Sequence, residues 1–386
     1  MTDRNRRERG EGCISKRKDG SWTGRIDVGV TPDGKRKVKA VYGKTEREVK
    51  AKLKEVRNSL IREDYVDTKQ TTVKEYVEDW LVNNKKHEVK PKTYDYIEMI
   101  FNNYVFPSIG NYQLHAVTNK DIQRLINKLS DEDYAYSTIR KVYIYCNNIF
   151  DLARKRHDIK DNPCDLVNLP KAKEKPMSDI VYYNEDDIAK IKNVALEQYS
   201  NKKYIYRYGW AIILMLYTGL RAGEVCGLKW SRVDLNAQTL YVDNNVSIVK
   251  DRREGSTKRN KLVEGSPKSY SSERKIPLAN MAIEALNYFA SIRVNDYVVT
   301  KQSGQLLDHH VLDRTFYQII DKACPDKKYG VHALRHTFAS MLFKKGVDVK
   351  TVSEILGHKD TSITYNIYIH IIEDQKKKAI SQLNEI

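Results

Sequence analysis

The chain has 386 residues, with 68 Lys+Arg against 51 Asp+Glu and a formal charge of +17. A balance this basic calls for a polyanion, either nucleic acid or an acidic membrane surface. The membrane falls away because the longest apolar run, Trp210 to Tyr217, is too short to span a bilayer and MTDRNRRERGEG leads into no apolar signal segment. Cys13, Cys146, Cys164, Cys226 and Cys324 form no C-x-x-C pair, so neither a zinc site nor a disulfide framework is expected, and an intracellular, reducing location fits.

The length allows two or three domains, and the charge is concentrated at the start. Residues 1 to 60 hold 18 Lys+Arg and 9 Asp+Glu, a net +9. Residues 1 to 11 are charged and glycine-flanked, expected to stay disordered until DNA or a partner orders them. Cys13 to Lys18, Trp22 to Val30 and Lys35 to Tyr42 read as three strands, the last two joined by the turn Thr31-Pro32-Asp33-Gly34. Thr45 and Glu48 then form a capping box, and Val49, Leu53, Val56 and Leu60 recur at helical spacing, so a helix closes one face of the sheet. Lys35, Arg36, Lys37 and Lys39 crowd one strand beside Trp22, a pattern suited to a strand lying in a DNA groove. The blander reading is a module whose lysines keep it in solution.

Arg62 to Thr72 is polar and reads as a linker. Helical patterns follow at Val73 to Val82; at Thr93 to Tyr104, with Tyr94, Ile97, Phe101 and Tyr104 on one face; at Asp121 to Leu129, led by Thr118; and at Ser137 to His157. Four helices in this space make an all-α domain. KAKEKPMS, Lys171 to Ser178, reads as a second linker, with a domain boundary near Lys175. Asn184 caps a helix from Glu185, and Tyr204 to Thr218 is apolar enough to form a core helix. Leu240 to Val249 and Arg274 to Leu278 read as strands of a small sheet, separated by a long basic segment rich in Gly and Ser.

Chemistry-bearing residues gather in two places. The first is Thr218-Gly219-Leu220-Arg221-Ala222-Gly223-Glu224, where a helix ends at glycine and another begins. The second runs from Val331 to His370. His332 and Arg335 are three apart and share a helix face, with His336 off that face. A guanidinium there suits a phosphodiester, because its planar fork meets two phosphate oxygens at once. Leu356-Gly357-His358 reads as a helix end, and Tyr368 in Tyr-Ile-His supplies a hydroxyl usable as a covalent nucleophile. Each piece alone is unremarkable, since His-x-x-Arg-His usually marks a solvated helix face and the chain has 26 tyrosines.

Taken together and in this order, the motifs resemble the tyrosine recombinases, the family of phage and conjugative-transposon integrases and Xer-type resolution proteins. The resemblance implies a multidomain α+β fold: a small three-stranded sheet plus helix, an all-α core-binding bundle, and a mainly α catalytic domain with a small β-sheet. The corresponding segments are 1–62 (arm-type DNA binding), 70–172 (core binding) and 178–386, ending in an exchange helix within Ile371 to Ile386. It also implies roles. Tyr368 attacks a DNA phosphodiester, leaving a 3′-phosphotyrosyl bond and a free 5′-hydroxyl. Arg221, Arg335 and His358 stabilise the phosphate oxygens, His332 serves as the base, Lys268 protonates the departing 5′-oxygen, and Glu224 supports the site.

No cofactor and no metal are implied. The implied partners are double-stranded DNA at core and arm sites, further copies in a homotetramer, and an excisionase or DNA-bending protein. The implied setting is the bacterial cytoplasm, at the nucleoid, with a conjugative transposon or prophage as the element moved. Tyr368 lies ten residues beyond His358, where many recombinases have nine, and Tyr365 lies seven beyond. Tyr368 is preferred because Tyr-Ile-His copies the family's Tyr-x-His. The competing readings are a non-catalytic DNA-binding or architectural protein, and a type IB topoisomerase.

Overall fold

The computed structural model describes residues 12–30, 35–61, 71–172, 181–265 and 273–362, together with Thr364, Tyr365 and Tyr368. The expectations for residues 1–11, the turn at 31–34, most of the two linkers (62–70 and 173–178), the turn carrying Lys268 and the tail from Ile371 lie outside the described residues. The chain divides into two compact units, Met1–Lys173 and Glu174–Ile386.

The first unit holds two separate cores. In the smaller, strands β1 (Cys13–Lys16), β2 (Trp22–Val30) and β3 (Arg36–Gly43) form an antiparallel sheet in the order β1-β2-β3. Helix α1 (Glu46–Ile61) packs Val49 and Leu53 on Ile26. Its entry is fixed because the Thr45 hydroxyl accepts from the Glu48 amide at 3.2 Å, while Glu48 accepts the Lys44 amide at 2.9 Å.

The register sorts the basic residues. Ile26 pairs with Lys39 and Trp22 with Gly43, on the side toward α1, whereas Thr23 pairs with Tyr42 and Asp27 with Val38 on the other side. Trp22 is therefore part of the small core, at the opposite end of the ladder from the Val30–Arg36 pair. That corrects the expectation that it stands beside the basic cluster. Strand alternation also divides that cluster, with Lys37 and Lys39 half-buried and Arg36 exposed. The open face shows Val38 and Tyr42, and the Arg17 guanidinium sits 5.4 Å over the Tyr42 ring.

The larger core is helical: α2 (Val73–Trp80), α3 (Lys86–Glu88), α4 (Pro91–Ile100), α5 (Phe106–Ile109), α6 (Asn119–Asp131) and α7 (Tyr136–Lys155). Single π turns at Leu81–Lys85 and Phe101–Val105 carry α2 into α3 and α4 into α5. The Thr93 to Tyr104 pattern thus crosses a π turn, and Tyr94, Ile97 and Phe101 are all buried, while Tyr104 meets Tyr134 edge-on at 5.2 Å. Thr118 and Asp121 cap α6 reciprocally.

The second unit is built on α9 (Gly209–Thr218), buried over nearly its whole surface and packed by α8 (Glu185–Ala195), α11 (Asn280–Ser291), α12 (His309–Ala323) and α13 (Ala333–Lys344). Helix α9 begins five residues later than the apolar run suggests. Tyr204 is bridged to Gln198, and the Ile205 amide donates to the Glu197 carbonyl at 2.9 Å, which holds that segment out of the helix.

The three-stranded sheet has the order β4-β5-β8, from β4 (Val233–Asp234), β5 (Thr239–Val242) and β8 (Arg274–Pro277). Leu240 to Val249 is not one strand. It breaks at Asp243-Asn244 into β5 and β6 (Asn245–Lys250), and β6 pairs instead with β7 (Asn260–Gly265). The break comes from Asn244, whose side chain donates to the Gly227 carbonyl and to Glu264 and accepts the Asn245 amide, drawing the backbone out of the ladder. Helices α10 (Ala222–Gly227) and α14 (Val349–Leu356) belong to the same unit.

Candidate active site

Two helix ends organise the site. Helix α9 stops at Gly219, a left-handed residue at φ +66, and α14 stops at Gly357, likewise left-handed at φ 68. The last carbonyls of a helix lack intrahelical partners and carry its negative dipole end. Buried guanidiniums meet them here. Arg335, 2 % exposed, donates from Nη1 to the Gly219 carbonyl at 2.9 Å and from Nη2 to the Leu356 carbonyl. Arg274 donates from Nε to the adjoining Ile355 carbonyl at 2.7 Å.

Glu224 joins the arginines. Both its oxygens take Arg274, Nη1 at 3.2 Å and Nη2 at 2.8 Å. It also accepts Arg221 Nη1 at 2.8 Å and the Arg221 amide at 3.0 Å, which fixes the start of α10. Glu224 is 4 % exposed, whereas the Arg221 side chain is 38 % exposed and reaches the surface. Arg221 and Arg274 share the Glu224 carboxylate, while Arg335 is held by two helix-end carbonyls. A buried guanidinium held by carbonyls, as Arg335 is, suits an anionic ligand.

Tyr368 and His358 close the cluster. The Tyr368 side chain is 1 % exposed, its ring 5.0 Å from that of Phe343, and its hydroxyl lies 2.8 Å from His336 Nδ1. Tyr365, the other candidate nucleophile, is 37 % exposed. His358 follows the left-handed Gly357, and its Nδ1 is 2.6 Å from the Thr364 hydroxyl, which orients the ring and leaves Nε2 for a ligand.

Residues 182–375 match the phage integrase family, and residues 72–130 match the phage integrase N-terminal SAM-like domain. The XerC-like tyrosine recombinase of Caldanaerobacter subterraneus subsp. tengcongensis is 30% identical over 381 residues, covering 94% of this chain and 95% of that protein. The chain belongs to the phage integrase family of tyrosine recombinases. It is thus a site-specific recombinase. The Tn1549 transposon integrase, solved in complex with transposon right end DNA, superposes with a TM-score of 0.63 at 20% identity, covering 81% of this chain and 100% of that one. A lambda integrase dimer bound to a COC′ core site superposes with a TM-score of 0.57 at 17% identity, covering 95% of this chain and 96% of that one. The α+β architecture is shared with both.

In the recombinase, the second unit brings Arg221, Glu224, His332, Arg335, His358 and Tyr368 into one cluster. Lys268 lies outside the described residues. The histidine at the tyrosine hydroxyl is His336, not His332, which departs from the expected base. Positions 332, 336 and 343 fall on one stripe of α13, and Tyr368 lies across its His336–Phe343 part. His332 sits one turn back, its ring edge-on to His336 at 5.0 Å, so His336 is not off the site face.

Burial sets the protonation states. It lowers His332 to about 4, helped by His336, Arg335 and Arg221. His358 is lowered to about 4 by burial, Arg335 and Arg221, and His336 is lowered by burial and Arg335. All three are neutral at neutral pH. In its Nε2–H tautomer, His336 can therefore accept the Tyr368 proton. Burial raises the Tyr368 phenol well above its usual value, with Arg335 opposing. For Glu224 burial pushes upward, but Arg274 and Arg221 outweigh it and hold the carboxyl at about 2. Burial, Arg221 and Arg274 bring Arg335 down to about 9, still charged at neutral pH.

Sequence reasoning missed Arg274 and His336. The available signal for Arg274 was an arginine opening a strand that is otherwise apolar inward; for His336 it was the four-residue spacing from His332. Among the described residues, one group of metal-ligand type, His309, His310 and Asp313 near the start of α12, has its ligand atoms within 4.8 Å. It contains none of the cluster residues and stands at the positive end of a helix dipole, which opposes a cation. No helix among the described residues is long and apolar enough to cross a membrane.

Proposed function

We propose that this recombinase cleaves and rejoins double-stranded DNA through a 3′-phosphotyrosyl intermediate at Tyr368, integrating and excising a mobile element. The observation that carries the reading is Arg335, buried against the Gly219 and Leu356 carbonyls, in one cluster with Arg221, His358 and the buried hydroxyl of Tyr368. A phosphodiester is an anion whose oxygens match such guanidiniums. Arg221 and Arg335, with His358 Nε2, hold its non-bridging oxygens, and positioning plus charge stabilisation accounts for most of phosphoryl transfer. The Tyr368 proton leaves to a neutral histidine, Tyr368 Oη bonds to phosphorus, and the bond to the 5′-oxygen breaks. Lys268 protonates that oxygen, an assignment resting on the family resemblance. A 5′-hydroxyl from a second strand reverses the step.

Two solved structures of similar fold, an integrase on transposon DNA and a lambda integrase tetramer on a Holliday junction, support DNA as partner and a tetramer as the working assembly. The element moved is a conjugative transposon or a prophage. In the arm segment, Arg25, Arg36 and Tyr42 fall on the open face of the sheet and suit phosphate and groove contact better than Trp22 does. The site of action is the bacterial cytoplasm. An excisionase or DNA-bending protein would set direction.

A plasmid relaxation assay with and without an attachment site tests this reading. Recombination and covalent attachment only at the attachment site are expected. Efficient relaxation of plasmid lacking it would make the protein a topoisomerase, and no attachment to either would leave a DNA-binding protein.

A further inference from the structure

Arg274 takes no step in the reaction above, yet it bonds two parts of the site's framework that lie far apart in the chain. Its guanidinium spends Nη1 and Nη2 on the two oxygens of Glu224, 50 residues earlier in the chain, and Nε on the Ile355 carbonyl, 81 residues later. Glu224 in turn holds both the amide and the guanidinium of Arg221. Ile355 is the next-to-last residue of α14, three before His358, and the following carbonyl, of Leu356, is the one that orients Arg335. Arg274 is itself 6 % exposed and opens β8, six residues after Lys268 in the chain.

We infer that Arg274 is a positioning residue for strand cleavage, fixing Arg221 through Glu224 and the His358 end of α14 through Ile355 in one rigid fork. The inference rests on the cleavage reaction proposed above. Only a guanidinium satisfies the geometry, since three N–H vectors in one plane span a carboxylate and a carbonyl at once. A lysine supplies the charge from a single atom and leaves one of the two partners without its bond. The consequence is a displaced phosphate clamp in a folded protein, and misplacement by about 1 Å costs on the order of 10²-fold in rate.

The test uses the full chain and a core-site duplex nicked so that cleavage traps the covalent adduct. For Arg274→Lys, duplex binding should stay within about twofold of wild type while single-turnover adduct formation falls on the order of 10²-fold. This split between binding and cleavage is not what a merely structural residue gives, and circular dichroism melting fixes a temperature at which each variant is folded. In combination with Glu224→Gln, the losses should not multiply, because both act through the same bond pair. If Arg274→Lys does not fold, the charge-neutral pair Glu224→Gln/Arg274→Met removes both buried charges and should fold with the same cleavage defect. Wild-type adduct formation by any folded Arg274 variant, or fully multiplicative losses, overturns the inference. Absence of any adduct with the wild-type chain overturns the cleavage reading itself and takes this inference with it.

Discussion

Replacing Gly219 by alanine strikes the joint on which the site depends. Gly219 has φ +66, and a Cβ built there meets Phe338 Cδ1 at 2.5 Å and Leu356 Cδ2 at 3.0 Å. The left-handed conformation costs a non-glycine residue about 1–2 kcal/mol, and forcing a methyl into a packed core adds about 1–3 kcal/mol. At about 2–4 °C per kcal/mol for a unit of this size, the melting temperature should fall by roughly 4–20 °C. Gly255→Ala is the control, since Gly255 is also left-handed, at φ +74, but nothing lies within 4 Å of its Cβ. It carries only the backbone cost, about 2–8 °C on the same scale. Circular dichroism melts of both variants give the comparison, and single-turnover cleavage adds a second readout. The Gly219 carbonyl orients Arg335, so Gly219→Ala should also lose cleavage by on the order of 10²-fold below its melting range. A melting shift no larger than that of Gly255→Ala, with normal cleavage, would refute the role given to this helix end.

Three further outcomes follow from the electrostatics and the charge distribution. Glu224 is held at about 2 against an ordinary 4.5. Because its folded pKa is depressed, its contribution of about 3 kcal/mol is present above pH 4.5 and lost as pH falls toward 2, so the melting difference between wild type and Glu224→Gln should shrink across that window. His332 and His358, lowered to about 4 by burial and the arginines, should titrate in that range by NMR in the DNA-free protein and move upward when a phosphate enters; midpoints near 6.5 without DNA would contradict their burial. Removing residues 1 to 60 takes away +9 of formal charge. It should abolish a salt-sensitive binding event distant from the crossover while leaving weak core-site cleavage, whereas identical footprints would make the segment a solubility module.

What was legible in the sequence was local. The Thr118–Asp121 cap, the Asn184 cap and the α9 core run follow from spacing, and His332, Arg335 and His358 are legible because helix ends and three-residue intervals are written in neighbouring positions. What was not legible depends on partners far apart in the chain. Arg274 reads as the first residue of a strand until Glu224 and Ile355 are brought to it by folding. Counting from Arg335 puts His336 off the site face, but its partner Tyr368 arrives from 32 residues away onto the stripe that continues to Phe343. Trp22 and the lysines share a hairpin, but register sends Trp22 to the opposite end of the ladder and toward α1. The apolar run from Leu240 concealed a change of sheet, because Asn244 breaks the ladder through side-chain bonds that hydrophobicity does not reveal.

The central claim is that Tyr368 is the nucleophile, and it is tested most directly by trapping the covalent adduct on a nicked core-site duplex and sequencing the attached peptide by fragmentation. Trypsin should release Asp360 to Lys376, which holds both Tyr365 and Tyr368, so fragment ions within that peptide decide between them. The account predicts the nucleotide on Tyr368, and no adduct at all from Tyr368→Phe. A nucleotide on Tyr365, or an adduct that persists in Tyr368→Phe, would contradict it.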